Sequence, residues 1–376
     1  MRMLVFPYGY NCEPIVRHAN FLEQCYEIVA LVSPGGWGMA GKNIVLGKNK
    51  VSTHVYERIE EVTEEFDSLF IPDFGEIDEE VENRLINEII KLFPNLTHII
   101  CAARFTSLNE KKLKEICQRN SQFCDFINYS ENKSLDKYGL MENCTAHQSI
   151  KAINIPVVCI VGWWEKTDKF EVSLMLREHF LQAGYQVSQV GSRSECEMFG
   201  FHSFPDFMYN KNIDAEDKII YFNRWIDNMV RKEKPDLLII TIPGAMQNFN
   251  NELTRGFGIL HHLVFQSIIP DILIMCTIYL QGTSQALENI SKSCKYKFGA
   301  AVDAFHMSNL VIDKNDSEER GYVVTSNIYR KIVSKTIAER FCNSSIPVFN
   351  MLDQMDSDNM FDTLMDKLIP NDSRIV

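Results

Sequence analysis

The chain has 376 residues, of which 45% are hydrophobic and 23% charged, and its formal net charge is −12. That apolar share excludes global disorder, and the length suits two domains of ~100–200 residues each. The acidic balance argues against a nucleic-acid partner, which would need a basic face to meet phosphates. The basic stretches at 111–114 and 231–234 are short and lie beside acids, so they read as solvated helix faces. The most apolar stretch, 256–280, is interrupted by His261, His262, Pro270 and Asp271. It reads as a buried helix and strand, and no membrane contact is expected.

The first half alternates strands and helices. Residues 3–7 form a strand, and Pro14 suits the first turn of a helix running to about 24. A strand at 27–32 leads into the Gly-rich loop Ser33-Pro34-Gly35-Gly36-Trp37-Gly38. A strand at 68–72, an acidic helix at about 78–92, a strand at 97–102 and a helix at 109–117 follow. Strands separated by helices imply a parallel sheet. Gly9 alone is no dinucleotide fingerprint, and Gly35, Gly36 and Gly38 stand where a ribose-binding acid would be needed, so no NAD site is expected. Polar residues at 128–150 mark a linker.

A strand at 156–161 opens the second half, ends in Gly162 and leads to a helix at 170–182 closed by Gly184. Strands are expected at 185–190, 237–242 and 271–276, with helices at 221–231, 251–268 and 327–341. Weaker strand patterns lie at 297–303, 308–312 and 346–350. The expected fold class is α/β. A Rossmann-like parallel-sheet domain at 1–127 precedes the linker at 128–150 and a P-loop-like α/β domain at 151–376.

Eleven cysteines are scattered, several inside apolar runs (Cys101, Cys159, Cys276), and there is no C-x-x-C pair. With an N-terminus that runs straight into a strand, this points to free thiols and a cytoplasmic location. His and Cys positions lack metal-ligand spacing, so no metal site is expected.

The stretch from Val158 to Ser173 carries most of the functional argument. A buried strand, a short loop and a lysine at a helix start make the P-loop arrangement, in which backbone N–H groups and the helix N-terminus surround phosphate oxygens. Lys169 stands close to where the phosphate-binding lysine belongs. Three departures accompany it. Gly162 to Lys169 is one residue longer than G-x-x-x-x-G-K, Asp168 replaces the second glycine, and Phe170 replaces the magnesium-binding hydroxyl. No Walker B acid follows the strand at 237–242, where Thr241, Ile242 and Pro243 stand. The turn is therefore either a phosphate cradle or an ordinary strand-to-helix turn with Asp168 as N-cap. Thr167 lies within it, and Lys166 is a second phosphate contact or a solvated lysine.

Other strand ends supply further candidates, because ligands in open α/β sheets bind at the carboxyl edge. Ser192 and Arg193 follow a strand, and arginine suits bidentate anion binding. The loop after them is a lid, a peptide groove, or a packed Phe-rich segment with His202 hydrogen-bonded inside. Cys196 has no assignable base. Gly244 suggests a tight turn, and Gln247 could orient a water. Asp303, His306, Ser308 and Asn309 form a weaker polar cluster. The binding candidates are thus Gly162, Lys166, Thr167, Asp168, Lys169, Phe170, Ser192, Arg193, Gly244 and Gln247, with no catalytic residue assigned.

The layout of a small Rossmann-like domain followed by a P-loop domain resembles a P-loop superfamily that includes bacterial glutamate N-acetyltransferase-type enzymes of D-amino-acid metabolism. In that resemblance the P-loop lysine maps to Lys169 and the preceding glycine to Asp168. A Thr-Gly-Gln-type motif falls on Gly191-Ser192-Arg193, and Ile242-Pro243-Gly244 occupies the place of a Glu-Gly-Gln motif. Nearly end to end, the chain is also similar to a peptide maturation system protein family, whose members accompany ribosomally made, modified peptides. That likeness rests on Ser33-Pro34-Gly35-Gly36-Trp37-Gly38, Lys166-Thr167-Asp168-Lys169-Phe170, and Gly191-Ser192-Arg193 with Gly200-Phe201-His202-Ser203-Phe204-Pro205.

Three readings follow. The first is a peptide-maturation component whose altered P-loop binds a phosphate-bearing ligand. The second is a non-catalytic partner that holds a precursor peptide or a maturation enzyme. The third is an amino-acid N-acyltransferase-like enzyme. The expected cofactor is a nucleotide or acyl-CoA, and the expected partners are a precursor peptide or other maturation proteins. The oligomeric state, a homo-oligomer included, is open.

Overall fold

A computed structural model of the chain describes residues 1–22, 25–47, 51–75, 77–127, 135–140, 149–254 and 257–368. It divides into two compact units, Met1–Tyr129 with Ser194–Gly200, and Ser130–Arg193 with Phe201–Val376. The linker expected at 128–150 lies mostly outside the described residues.

The first unit comprises β1 (Arg2–Val5), α1 (Glu13–Arg17), β2 (Glu27–Val32), β3 (Asn43–Leu46), β4 (Val51–Tyr56), β5 (Ser68–Ile71), α2 (Glu79–Leu92), β6 (His98–Cys101), α3 (Ser107–Arg119) and β7 (Phe123–Phe126). Its sheet runs β3-β4-β2-β1-β5-β6-β7. All pairs are parallel except β3 with β4. Leu4, Val32, Leu69, Ile71 and Ile99 pack against Leu85, Ile86 and Ile89 of α2. The helix expected at 14–24 is shorter: α1 gives way to a 3-10 turn at Ala19–Phe21. β3, β4 and β7 were not anticipated. In β3 and β7 exposed and half-buried residues alternate, so these edge strands lack the apolar run that marked the centre.

The second unit comprises β8 (Val157–Gly162), α4 (Lys169–Gln182), β9 (Val187–Gly191), β10 (His202–Ser203), α5 (Ala215–Glu233), β11 (Leu237–Thr241), α6 (Ile259–Ser267), β12 (Ile272–Thr277), α7 (Ser284–Phe298), β13 (Ala304–Met307), β14 (Leu310–Asp313), α8 (Lys314–Arg320), β15 (Val324–Asn327), α9 (Arg330–Thr336), β16 (Val348–Phe349) and α10 (Gln354–Leu368). Its main sheet runs β10-β9-β11-β8-β12-β13-β16, all parallel. β14 and β15 pair antiparallel, with α8 between them.

Alternate residues of the central strands serve opposite faces. Cys159, Val161, Leu238, Ile240 and Met275 pack with Phe222 and Ile226 of α5, Val264 of α6 and Leu287 of α7. Val158, Ile160, Ile239 and Ile274 pack with Val172, Leu176 and Phe180 of α4 and Met360 and Leu364 of α10. Both faces are covered, which is why β8, β11 and β12 are unbroken apolar runs.

Several expected bounds move. The strand pattern at 297–303 is the end of α7 and its exit, and β13 starts at Ala304. The helix expected at 251–268 starts at Ile259, after Gly258 in a left-handed conformation with φ 74°. The helix expected at 327–341 starts at Arg330 and ends in a π-turn at Ile337–Phe341. Neither α7 nor α10 was anticipated. The ten described cysteines are all unbridged.

Buried Asn223 ties this unit together. Its amide donates to the carbonyls of Lys151 (2.9 Å) and Ser267 (3.0 Å) and accepts from the Lys151 N–H at 2.7 Å. Asn223→Ala strands all three partners, so we expect urea unfolding to show a loss of roughly 2–4 kcal/mol. A loss within ~0.5 kcal/mol would show that the amide is dispensable.

Candidate functional site

The strands of the second unit deliver Gly162, Gly191, Thr241, Thr277 and Met307 to one carboxyl edge. At its centre the chain turns from β8 into α4. A Cβ on Gly162 would lie 2.5 Å from the Trp164 carbonyl oxygen, 2.7 Å from Thr167 Oγ1 and 3.1 Å from Lys169 Cδ. The turn therefore folds back over the glycine, and only a residue without a side chain fits beneath it. Neighbouring strands clamp it. The Trp163 N–H donates to the carbonyl of Cys276 in β12, and the Met246 N–H to the Gly162 carbonyl, both at 2.9 Å. Lys166 and Asp168 take left-handed backbone angles, φ 53° and 58°. Non-glycine residues seldom do so, and such strain concentrates at ligand clamps.

Lys169 is the first residue of α4 and is buried. Its Nζ donates to the Ile242 carbonyl at 3.1 Å and to the Gly244 carbonyl. Burial pushes its pKa down to about 8, and the opposing influence of Cys276 and Glu165 is smaller. Lys169 has no ion-pair partner within 4 Å among the described residues. Buried His261 of α6 feels this charge: burial and Lys169 both hold its pKa well below the ordinary value. Neither of its ring nitrogens has a hydrogen-bond partner among the described residues. Sequence reading passed over His261 because it sits in an apolar helical run, where a histidine is normally core.

Asp168 occupies the N-cap position, but its side chain makes no capping bond. Instead Oδ2 lies 3.9 Å from His306 Nε2 on β13. Phe170, in the place of the magnesium-binding hydroxyl, is buried, and the Arg193 guanidinium lies 4.7 Å over its ring. That cation–π contact carries Arg193, with half-buried Ser192 beside it, to the first turn of α4. Thr167 is buried, its hydroxyl 3.4 Å from the Trp164 carbonyl. Gly244 takes φ 77° and offers its carbonyl to Lys169.

Two candidates point elsewhere. Lys166 Nζ donates to the Val323 carbonyl at 2.6 Å and sits 5.6 Å over the Tyr322 ring, between α8 and β15. Gln247 is half-buried next to Met246, and it makes no hydrogen bond to the turn among the described residues. The polar cluster at 303–309 separates. His306 lies against Asp168 of the turn, whereas Asp303 accepts from Lys367 at 2.8 Å, Ser308 from the Leu310 N–H at 2.9 Å and Asn309 from Asn350 at 2.7 Å. His202 is hydrogen-bonded to Glu233 at 2.5 Å, and Phe201, Phe204 and Phe207 are buried, so the segment after Arg193 is packed.

The turn has the strand-loop-lysine-helix geometry of a P-loop without the groups that hold magnesium. Among the described residues no group of three His, Cys, Asp or Glu could hold a metal ion, and no helix is long and apolar enough to cross a membrane.

No protein-family model matches the chain, and no curated protein matches it significantly. Among solved structures, a DUF1611-family protein from Anabaena variabilis is similar over 97% of this chain and 99% of its own, with a TM-score of 0.61 at 12% identity. It shares the α/β fold. The MinD cell division protein of Aquifex aeolicus covers 56% of this chain and 96% of its own (TM-score 0.31, 9% identity). The hydrogenase maturation factor HypB of Archaeoglobus fulgidus covers 57% and 90% (TM-score 0.29, 13% identity). Scores that low carry no argument about function. None of these likenesses supports peptide maturation or acyl transfer.

Proposed function

We propose that the second unit binds a small phosphate-bearing ligand, such as a nucleotide, at the carboxyl edge of its sheet, with Lys169 as the cation and without magnesium-dependent hydrolysis. One observation carries this reading. The Lys169 ammonium is desolvated at the start of α4, held by two neutral carbonyls and, among the described residues, by no carboxylate. A buried charge without a counter-charge is unfavourable. An anionic oxygen at this helix N-terminus would supply the counter-charge and lie at the positive end of the helix dipole. Arg193, stacked on Phe170, adds a second positive charge nearby. Phe170 and the Thr241-Ile242-Pro243 strand end supply nothing that would hold magnesium as a hydrolytic P-loop does.

Calorimetry with ATP, GTP, AMP and acetyl-CoA tests this. At least one is expected to bind, with Kd changed less than about threefold by chelating magnesium and with no phosphate released. Failure of all four to bind sinks the reading, and steady hydrolysis would remove its second half.

The closure of the turn over Gly162 favours a second reading, a non-catalytic partner whose P-loop has become structural. A place in peptide maturation, with a precursor peptide or another maturation protein as partner, rests on the resemblance alone. Co-purification with a precursor peptide encoded beside this gene would support that placement, and clear transferase turnover would contradict the non-catalytic reading.

A further inference from the structure

Asp168 and Lys169 are consecutive, yet their side chains part along the sheet edge. Lys169 reaches the Ile242 and Gly244 carbonyls beyond β11, and Asp168 reaches toward His306 on β13. In the sheet order β11 and β13 lie on opposite sides of β8. The left-handed backbone at Asp168 accompanies this split. The edge thus has a cationic pole, where Arg193 also lies near the first turn of α4, and an acidic pole.

His306 defines the acidic pole. It is fully buried, and its Nδ1 accepts the Met351 N–H at 3.1 Å. The ring hydrogen therefore sits on Nε2, the nitrogen facing Asp168. That N–H has no hydrogen-bond partner among the described residues, because 3.9 Å to Asp168 Oδ2 is too long for one. A nitrogen that carries its hydrogen cannot ligate a metal; it needs an acceptor. The carboxylate opposite needs a donor. A hydroxyl is both, and one oxygen can stand about 2.8 Å from each of two atoms 3.9 Å apart.

We propose that Asp168 and His306 bind a hydroxyl of the same ligand whose phosphate lies at Lys169, so that the substrate class is a hydroxylated phosphoester. This rests on the phosphate reading of the site. The hydroxyl donates to Asp168 and accepts from His306 Nε2–H. Asp168, which would repel a bare phosphate, instead selects for the alcohol.

Paired probes separate the two claims. AMP is compared with 2′,3′-dideoxy-AMP, which distinguishes a ribose source, and glycerol 3-phosphate with propyl phosphate, which distinguishes a polyol source. The wild-type protein is expected to favour the hydroxylated member of at least one pair by about tenfold or more, as for a hydrogen bond to a charged group. Asp168→Gly, which keeps the left-handed backbone without strain, is expected to erase that preference and to tighten binding of the hydroxyl-free probe by severalfold. His306→Gln, which retains a donor, should keep the preference, and His306→Leu should lose it. Equal binding within both pairs, or an Asp168→Gly effect that is the same for both members, overturns this proposal while leaving the phosphate site standing. No binding of any probe overturns both.

Discussion

Lys169→Met is expected to weaken phosphate-ligand binding by at least ~100-fold and, at neutral pH, to make the folded protein more stable. The two effects share one origin. The ammonium is buried with two carbonyls as its hydrogen-bond partners, and its pKa falls from 10.5 to about 8. That drop corresponds to roughly 3 kcal/mol of lost stability. The sign follows from proton counting. Below pH 8 the lysine is charged both folded and unfolded, and the full penalty applies. Between about 8 and 10.5 the unfolded chain holds the proton that the folded chain has released, so stability rises with pH. Above 10.5 the penalty is gone. Methionine removes the penalty but strands two carbonyls, which takes back about 1–2 kcal/mol. Urea unfolding at pH 7 and pH 10 should therefore show the variant ahead by about 1–2 kcal/mol at the lower pH and behind at the higher one. Parallel curves, or a variant weaker at pH 7, would remove the under-compensated lysine from the site. Ligand binding restores the counter-charge, so the wild type should take up protons on binding between pH 8 and 10.

Gly162→Ala should cost roughly 3 kcal/mol or more and abolish binding. The new methyl would stand 2.5 Å from a main-chain oxygen, that of Trp164, which cannot rotate away. The Thr167 hydroxyl at 2.7 Å and Lys169 Cδ at 3.1 Å close the remaining space. The turn has to open, and Lys169 moves with it. Gly244→Ala is the internal control. Its φ is 77°, but nothing lies within 4 Å of an added Cβ, so only the conformational cost of about 1 kcal/mol applies. If the two variants unfold at the same urea concentration, the turn is not closed over Gly162.

What could be read from the chain follows from how locally each feature is encoded. β8, β11 and β12 are buried on both faces, so their apolar runs announced the second sheet. β3 and β7 alternate exposed with half-buried positions, and α7 mixes serine and lysine with a few core residues; none carries a long apolar signal. Lys169 was legible because strand, loop and helix start are contiguous. Its partners were not: main-chain carbonyls have no sequence signature, and Ile242 is 73 residues away. The direction of Asp168 depends on His306, on a strand separated from β8 by β12 in the sheet.

The same spacing bears on when the site comes into being. Val157, at the start of the strand that leads into the turn, is held by Asp271, 114 residues later, and the acidic pole waits for β13. Contacts this far apart close slowly, since long loops are ordered before any contact rewards them. The turn is thus expected to form late in folding, after its neighbours, so that substitutions in it change the unfolding rate more than the folding rate. A fragment ending before β13 would keep the lysine and lack the pole that opposes it.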